Sequence, residues 1–195
     1  MEDPFDEQKL QEKLCVVPIG GQLIFALSCA ERMLPNYQRF VQESDFGDVS
    51  VLRCALNLGW DWLSGKSIDL GLAEKCREDS ENQAPNTEDF STILVSSALD
   101  AANAASIVVD FLLTSNLERV VELATYARDS VDMFVQELEK MQPNARNLEE
   151  KIWLHPLMQR ELANQRNALT LITDGITLSE AIARWRSPLM GSLDL

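Results

Sequence analysis

Charged and phenolic side chains inside an otherwise apolar helical pattern are the residues of this sequence that could do chemistry. Glu31 and Arg32 are neighbours, and Tyr37 follows them, in the stretch LIFALSCAERMLPNYQRF that starts at Leu23. Asp100 lies in the most apolar segment of the chain. A carboxylate, a guanidinium and a phenol between helices could hold a polar ligand, or they could pair across the bundle and fix the register of the helices. The sequence leaves both interpretations open.

The partners of these groups must come from other elements. Residues that are adjacent in a helix point in different directions, so Glu31 and Arg32 each need a partner of their own. We expect Asn36 and Tyr37 to complete the hydrogen bonding around them. Asp100 belongs to a polar stripe that a helix would gather on one face, and this stripe is the predicted counterpart of the charged pair. The stripe consists of Ser96, Asp100, Asn103, Ser106 and Asp110.

Several constellations of enzyme chemistry are missing from the sequence. His155 is the only histidine, and no Glu-x-x-His pair, Cys-x-x-Cys pair or Gly-x-Ser-x-Gly elbow occurs. Gly59 and Gly65 are one position too far apart for a phosphate-binding loop, so Gly65 is predicted to be a helix C-cap. We therefore predict no catalytic residue, no metal site and no cofactor. Buried, reduced thiols are predicted for Cys15, Cys29, Cys54 and Cys76.

The charge of the chain argues against several kinds of partner. Its 195 residues include 31 Asp and Glu against 17 Lys and Arg, a formal net charge of −14. Proteins bind nucleic acid largely through Lys and Arg side chains that displace counterions, so a nucleic-acid partner is not expected. The same charge opposes binding to an anionic membrane, and the acidic N-terminus lacks the pattern of a secretion signal. We predict a cytoplasmic protein.

Hydrophobic periodicity predicts an all-α protein of about seven to nine helices, packed as one domain over residues 1–195. No segment alternates with period two, so no strand is expected. The segment 91–114 is predicted to be a buried central helix, because its alanines let neighbouring helices approach closely. Its Asp100, Asn103 and Asp110 would be expensive in lipid, which argues against a membrane span.

Breaks and caps divide the pattern into helices. A helix is predicted from about residue 22 to 33, and Pro35 is predicted to kink the chain or to restart it as a new helix, because proline has no N–H and disfavours helical geometry at the residue before it. Asp48 is predicted to cap one later helix, and Ser67 or Asp69 another. Loose tails are predicted at 1–4 and 189–195.

Four short stretches resemble the YjaG-like family of uncharacterised bacterial proteins. They are ERMLPNYQRF at 31–40, Phe46-Gly47-Asp48, Trp60-Asp61, and ALDAA around Asp100. The similarity is strongest between residues 23 and 65. Within this signature, a structural role is expected for Pro35, Phe40, Phe46 and Gly47.

The resemblance implies an all-helical cytoplasmic fold, no established activity, and an association with histidine-kinase signalling. We expect a non-enzymatic protein that binds a protein partner or a second copy of itself. The alternative is a small-molecule-binding protein or enzyme with a polar pocket between helices around Glu31, Arg32 and Asp100. A deep pocket lined by these groups would favour the alternative, and a packed cluster with every group paired would remove it.

Overall fold

Aspartate side chains that accept hydrogen bonds from free backbone N–H groups fix where two of the helices begin. The Asp48 carboxylate accepts the N–H of Ser50 at 2.8 Å. The Asp69 carboxylate accepts the N–H of Leu72 at 2.9 Å. Each bond satisfies a donor that has no partner within its own helix. The predictions of helix starts at Asp48 and Asp69 are therefore confirmed.

The fold is known from a computed structural model, which describes residues 6–142, 144, 146–186 and 191–194. These ranges contain nine α-helices, one short 3₁₀ turn (Thr87–Asp89) and no strand, which confirms the predicted all-α class. The helices are α1 (Glu7–Leu14), α2 (Ile19–Ser44), α3 (Val49–Leu63), α4 (Leu70–Glu81), α5 (Val95–Thr114), α6 (Leu117–Leu138), α7 (Leu148–Leu154), α8 (Pro156–Thr173) and α9 (Leu178–Trp185).

α5 lies at the centre of the bundle, in contact with α2, α3, α4 and α6. Close approach of these helices is possible because small side chains cover α5, namely the buried Ala98, Ala101, Ala102, Ala104 and Ala105. Within the described ranges α5 is the one helix long and apolar enough to cross a membrane, and 67% of its most apolar window is buried inside the protein. The prediction of a buried central helix is confirmed, with its start at Val95 and not at residue 91.

α2 runs without interruption from Ile19 to Ser44, so the predicted restart at Pro35 is wrong. A proline inside a helix removes one hydrogen bond and costs about 3 kcal/mol. Packing outweighs this penalty, because the residues on both sides of the proline are buried and α2 contacts α3, α5, α6 and α8. The flanking buried side chains include Leu34, Asn36 and Tyr37.

The C-terminal residues 191–194 are packed against α2, so the predicted loose tail is wrong for this segment. The N–H of Ser192 donates to the carbonyl of Arg32 at 2.8 Å. Leu193 is only 1% exposed. A backbone hydrogen bond and a buried leucine thus hold a segment whose small and polar composition predicts a loose end. The other predicted tail residues, 1–4, 189, 190 and 195, lie outside the described residues.

Candidate functional site

Arg32 is bound to a carboxylate on α8. Its Nη2 lies 2.7 Å from Glu161 Oε1, and its Nε lies 3.1 Å from Glu161 Oε2. Both side chains are buried. Burial disfavours the charge of Arg32, but the Glu161 carboxylate outweighs burial and leaves the pKa of Arg32 above its usual value. The two-pronged geometry and the shifted pKa define an ionised, buried ion pair.

Further hydrogen bonds complete the surroundings of this pair. Arg32 Nη1 donates to the carbonyl of Ser28 one turn earlier in α2. Gln165 Nε2 donates to Glu161 Oε1 at 3.0 Å and to the carbonyl of Ala124 at 3.1 Å. The network therefore connects α2, α8 and α6 through buried polar groups. A cluster connected in this way specifies how three helices sit against one another.

The Cys29 thiol lies beside the same pair, 3.7 Å from Arg32 Nη2. Burial raises the pKa of Cys29 to about 11, so the thiol is neutral and is a poor nucleophile at physiological pH. All four cysteines are free thiols. The prediction that all four are buried holds for Cys29 and Cys76 and is wrong for Cys15 and Cys54, which are exposed. An apolar pattern shows that a helix has a buried face, but it does not place each cysteine on that face.

Glu31 is fully buried and has its partners on α3. Arg53 Nη1 lies 2.7 Å from Glu31 Oε1 and 2.9 Å from Oε2. The indole Nε1 of Trp60 donates to Glu31 Oε1 at 2.8 Å. Glu31 and Arg32 thus bond to different helices, as their adjacent positions in α2 require. The charged pair in the sequence is two separate inter-helix contacts in space.

Asn36 and Tyr37 do not complete the hydrogen bonding of those charges, so that expectation is wrong. Asn36 Nδ2 donates to Ser192 Oγ at 2.8 Å. The Tyr37 hydroxyl donates to the carbonyl of Gln83 at 3.0 Å, and burial raises the pKa of Tyr37 to about 12. Gly47, at φ +88°, lies against the Tyr37 hydroxyl, where a Cβ would clash. Asn36 and Tyr37 lie about one turn further along α2 than Glu31 and Arg32, so their side chains contact Ser192 and Gln83 instead.

The other residues of the signature pack on one another. Phe40 and Phe90 meet edge to face with ring centroids 5.1 Å apart, and Phe46 lies 5.3 Å from Phe90. The Gln83 side chain also accepts the N–H of Asp48 at 2.7 Å, next to the Tyr37 contact. Aromatic packing and this hydrogen bond hold the turn between α2 and α3.

Asp100 lies apart from Arg32, so its predicted place as counterpart of the charged pair is wrong. No described residue forms a hydrogen bond or ion pair with its carboxylate. Burial raises the pKa of Asp100 to about 7, and the nearby Asp129 of α6 adds to the shift. Other residues of the polar stripe have partners on different elements. Ser106 Oγ donates to Glu81 Oε1 at 3.0 Å, and Asp110 pairs with Arg119 at 2.8 Å.

A surface cleft of about 570 Å³ opens between α2 and the start of α3. Arg53 and Pro35 contribute to its lining, whereas Glu31 and Arg32 do not. In the part of the chain that the structure describes, no group of three or more His, Cys, Asp or Glu side chains is placed to hold a metal ion. In this arrangement the buried charged side chains of α2 are held in ion pairs with residues of other helices.

Glu161 and Gln83 are two of the important residues that sequence reasoning misses. Glu161 could have been found, because it falls on the apolar face of α8, four residues after Leu157 and four before Gln165. A carboxylate on a buried face needs a cationic partner. Gln83 has no comparable signal, since it lies in a polar stretch after α4.

Comparisons with known proteins agree on one family. A family model described as "Protein of unknown function (DUF416)" matches residues 9–187. "Uncharacterized protein YjaG" of Escherichia coli (strain K12) is 30% identical over 151 residues, which cover 77% of this chain and 74% of that protein. The protein of the same name in Salmonella typhimurium is 28% identical over the same length. A crystal structure of a DUF416 family protein from Shewanella baltica OS155 has a TM-score of 0.78 at 24% identity, covering 89% of each chain.

Proposed function

Because the chain belongs to the DUF416 family, whose description gives no activity, we propose a function from the geometry: the protein acts by binding another protein and not by catalysis. The family membership confirms the YjaG-like resemblance carried by the signature at 31–40. The proposal includes a cytoplasmic location, which the four free thiols support, because thiols stay reduced in that compartment.

The observation that carries the proposal is the pairing of the signature charges inside the protein. A site for a small polar molecule needs polar groups directed into a cavity. Arg32 is instead bound to Glu161, and Glu31 is bound to Arg53 and Trp60. We therefore place no polar pocket around Glu31, Arg32 and Asp100, because Glu31 and Arg32 are bound to different helices and neither is bonded to Asp100 among the described residues.

Exposed apolar side chains support a contact surface at one end of the bundle. Val16, in the link from α1 to α2, is 78% exposed, and Ile19, the first residue of α2, is 42% exposed. Gly20 contacts the end of α3, where a Cβ would lie 3.5 Å from Leu63 Cδ2. We call the exposed Val16 and Ile19, together with the half-buried Leu63 beside them, the apolar end. Burial of such side chains by a partner contributes about 25 cal/mol per Å² of apolar surface.

The test is affinity capture from a lysate with the full chain as bait. We expect the wild-type protein to retain a specific partner, and a Val16→Ser, Ile19→Ser double variant to lose it. Leu154→Ser is the matched control, because Leu154 is also an exposed aliphatic residue but lies on α7. A wild-type protein that stays monomeric in solution and retains nothing after cross-linking would contradict the proposal.

A component of histidine-kinase signalling is the first candidate partner, because the family resemblance implies that association. The corresponding test mixes the purified full chain with the soluble part of a histidine kinase and its response regulator from the same organism. We expect a stable complex in light scattering, or a changed rate of phosphate transfer. Equal transfer rates and separate elution for every kinase tested would remove signalling from the proposal and leave protein binding intact.

A further inference from the structure

The C-terminal turn, which we define as residues 191–194, is bound through the main chain of its second residue. The Ser192 N–H donates to the carbonyl of Arg32 at 2.8 Å. The carbonyl of Ser192 accepts a hydrogen bond from Arg160 Nη2 at 2.8 Å. Both polar groups of this backbone unit are therefore bound by the body of the protein. Main-chain hydrogen bonds of this kind give affinity in peptide recognition.

The groove between α2 and α8 also restricts which side chains the C-terminal turn can carry. A side chain at position 191 would crowd α2, because a Cβ there would lie 2.7 Å from Asn36 Oδ1 and 3.1 Å from Pro35 Cβ. Ser192 Oγ accepts from Asn36 Nδ2 at 2.8 Å. Leu193 is buried. The groove between α2 and α8 thus distinguishes a glycine, a small hydroxyl residue and a large aliphatic residue in order.

The fourth residue of the C-terminal turn adds a charge contact and closes the turn. Arg39 Nη1 lies 3.4 Å from Asp194 Oδ1. The N–H of Gly191 donates to Asp194 Oδ2 at 2.6 Å. The motif is held by bonds of its own, so the same four residues on another chain would present the same shape. Arg39 and Arg160 make this groove locally cationic on a chain of net charge −14, which suits an acidic residue.

One polar atom of the groove is not used by the C-terminal turn. Asn36 is fully buried, and its Oδ1 accepts no hydrogen bond from any described residue. A buried acceptor without a partner destabilises the folded state, because it has lost its hydrogen bonds to water and gained none in return. A ligand that supplied a donor beside the glycine position would remove this penalty. The chain's own terminus therefore fills the groove without satisfying all of it.

We propose that the groove between α2 and α8, formed by Arg32, Asn36, Arg39 and Arg160, is a peptide-binding site, and that the C-terminal turn is its intramolecular ligand. The ligand in trans is a turn of a partner protein with the pattern glycine, small hydroxyl residue, large aliphatic residue, acid. This inference rests on the proposed function, because it names the class of partner that the protein binds.

The experiment uses the full chain and a fluorescein-labelled peptide PLMGSLDL, which reproduces residues 188–195. Gly191→Val and Leu193→Asp each displace the C-terminal turn from the groove without changing α2 or α8. An intramolecular ligand competes at an effective concentration in the millimolar range. We therefore expect both variants to bind the peptide about tenfold or more tightly than the wild type does, measured by fluorescence polarisation.

Matched controls test whether the binding uses this groove. A peptide with valine in place of its glycine should not bind any form of the protein. Adding Arg160→Ala to the Leu193→Asp variant should weaken peptide binding about tenfold. Arg166→Ala in the same background should leave binding unchanged, because Arg166 is an exposed arginine on the same helix.

Four results would overturn the inference. The first is that both variants stay folded by circular dichroism and do not bind the peptide at millimolar concentration. The second is a wild-type dimer that Gly191→Val converts to monomer, because the occupant would then be the terminus of a second copy. The third result applies if both variants unfold. Excess peptide should then displace the C-terminal turn of the wild type and accelerate hydrogen exchange at the Ser192 amide. An unchanged exchange rate would overturn the inference. If a partner captured from the lysate still binds while the groove is occupied, this inference is wrong, but the proposed function is not contradicted.

Discussion

Arg32 Nη2 lies 2.7 Å from Glu161 Oε1, although 129 positions separate the two residues in the sequence. The contact joins α2 to α8, and Gln165 extends it to α6. A buried pair of this kind has a large desolvation cost, which two charge-assisted hydrogen bonds offset. Its main role is to exclude other arrangements of the three helices.

Removing one member of this pair should destabilise the protein strongly. Arg32→Met leaves the Glu161 carboxylate buried without a counter-charge, and we expect a loss of about 3–5 kcal/mol in the free energy of unfolding. The double variant Arg32→Met, Glu161→Leu should regain most of that loss, since no buried charge remains. Urea denaturation measures both. Lys66→Ala is the control, because Lys66 forms an exposed pair with Asp61. This substitution should lower the free energy of unfolding by less than about 1 kcal/mol. A double variant as unstable as the single one would contradict this account.

The indole of Trp60 should matter through its hydrogen bond as well as its volume. Trp60→Phe removes the donor to Glu31 and leaves a small cavity, so we expect a loss of about 2–4 kcal/mol. Trp62→Phe changes the same groups at a half-buried site and should cost less than about 1 kcal/mol. Thermal or urea unfolding compares the two directly. Equal losses would show that the bond to Glu31 contributes nothing measurable.

The stability of the protein should fall with rising pH because of Asp100. The pKa of Asp100 in the folded chain is about 7, above the value of about 3.9 for an unfolded aspartate. Between these values the unfolded chain has lost the proton and the folded chain retains it, so stability decreases as the pH rises through this window. Asp100→Asn should therefore stabilise the protein more at pH 8 than at pH 5, by up to about 3 kcal/mol.

Urea denaturation of the wild type and of Asp100→Asn at both pH values checks this expectation. Asp174→Asn serves as the control, because Asp174 is exposed at the end of α8 and its substitution should have the same small effect at both pH values. An Asp100→Asn effect that is independent of pH would mean that the carboxylate is ionised throughout this range.

Gly59 is required by packing and not by a phosphate group. A Cβ at this position would lie 3.0 Å from Leu27 Cδ2 and 3.2 Å from Val108 Cγ1, and both side chains are fully buried. We expect Gly59→Ala to destabilise the protein by about 1–3 kcal/mol despite the better helix propensity of alanine. Gly71→Ala in the exposed part of α4 should stabilise by up to about 1 kcal/mol. Calorimetry of the two variants would contradict this view if both gained stability.

The sequence predicts helices well because their signals are local. Asp48 and Asp69 cap helices through bonds to residues two or three positions later, and the alanines of α5 mark a helix that others approach closely. Pro35 shows where local signals fail. The packing of α2 on five other helices outweighs the proline penalty, and the sequence alone does not show that packing.

The contacts of the candidate site are harder to predict because they depend on how helices are rotated against one another. Periodicity shows that Arg32 and Asp100 lie on apolar faces, but it does not show which face meets which. Arg32 meets Glu161 on a helix far away in sequence, and Asp100 faces Asp129 instead. The C-terminal turn is missed because Leu193 has no periodic hydrophobic pattern around it, so the sequence does not mark it as buried.

Glu31 and Arg32 are consecutive residues held by two different helices, and this has an evolutionary consequence. A change at position 32 leaves a buried charge at position 161, and a change at position 31 leaves the half-buried guanidinium of Arg53 without this carboxylate. Among relatives, the residues at 32 and 161 should therefore be replaced together, and so should those at 31 and 53. Sequence covariation between such distant positions would record the packing of α2 against α8 and α3 without any structure.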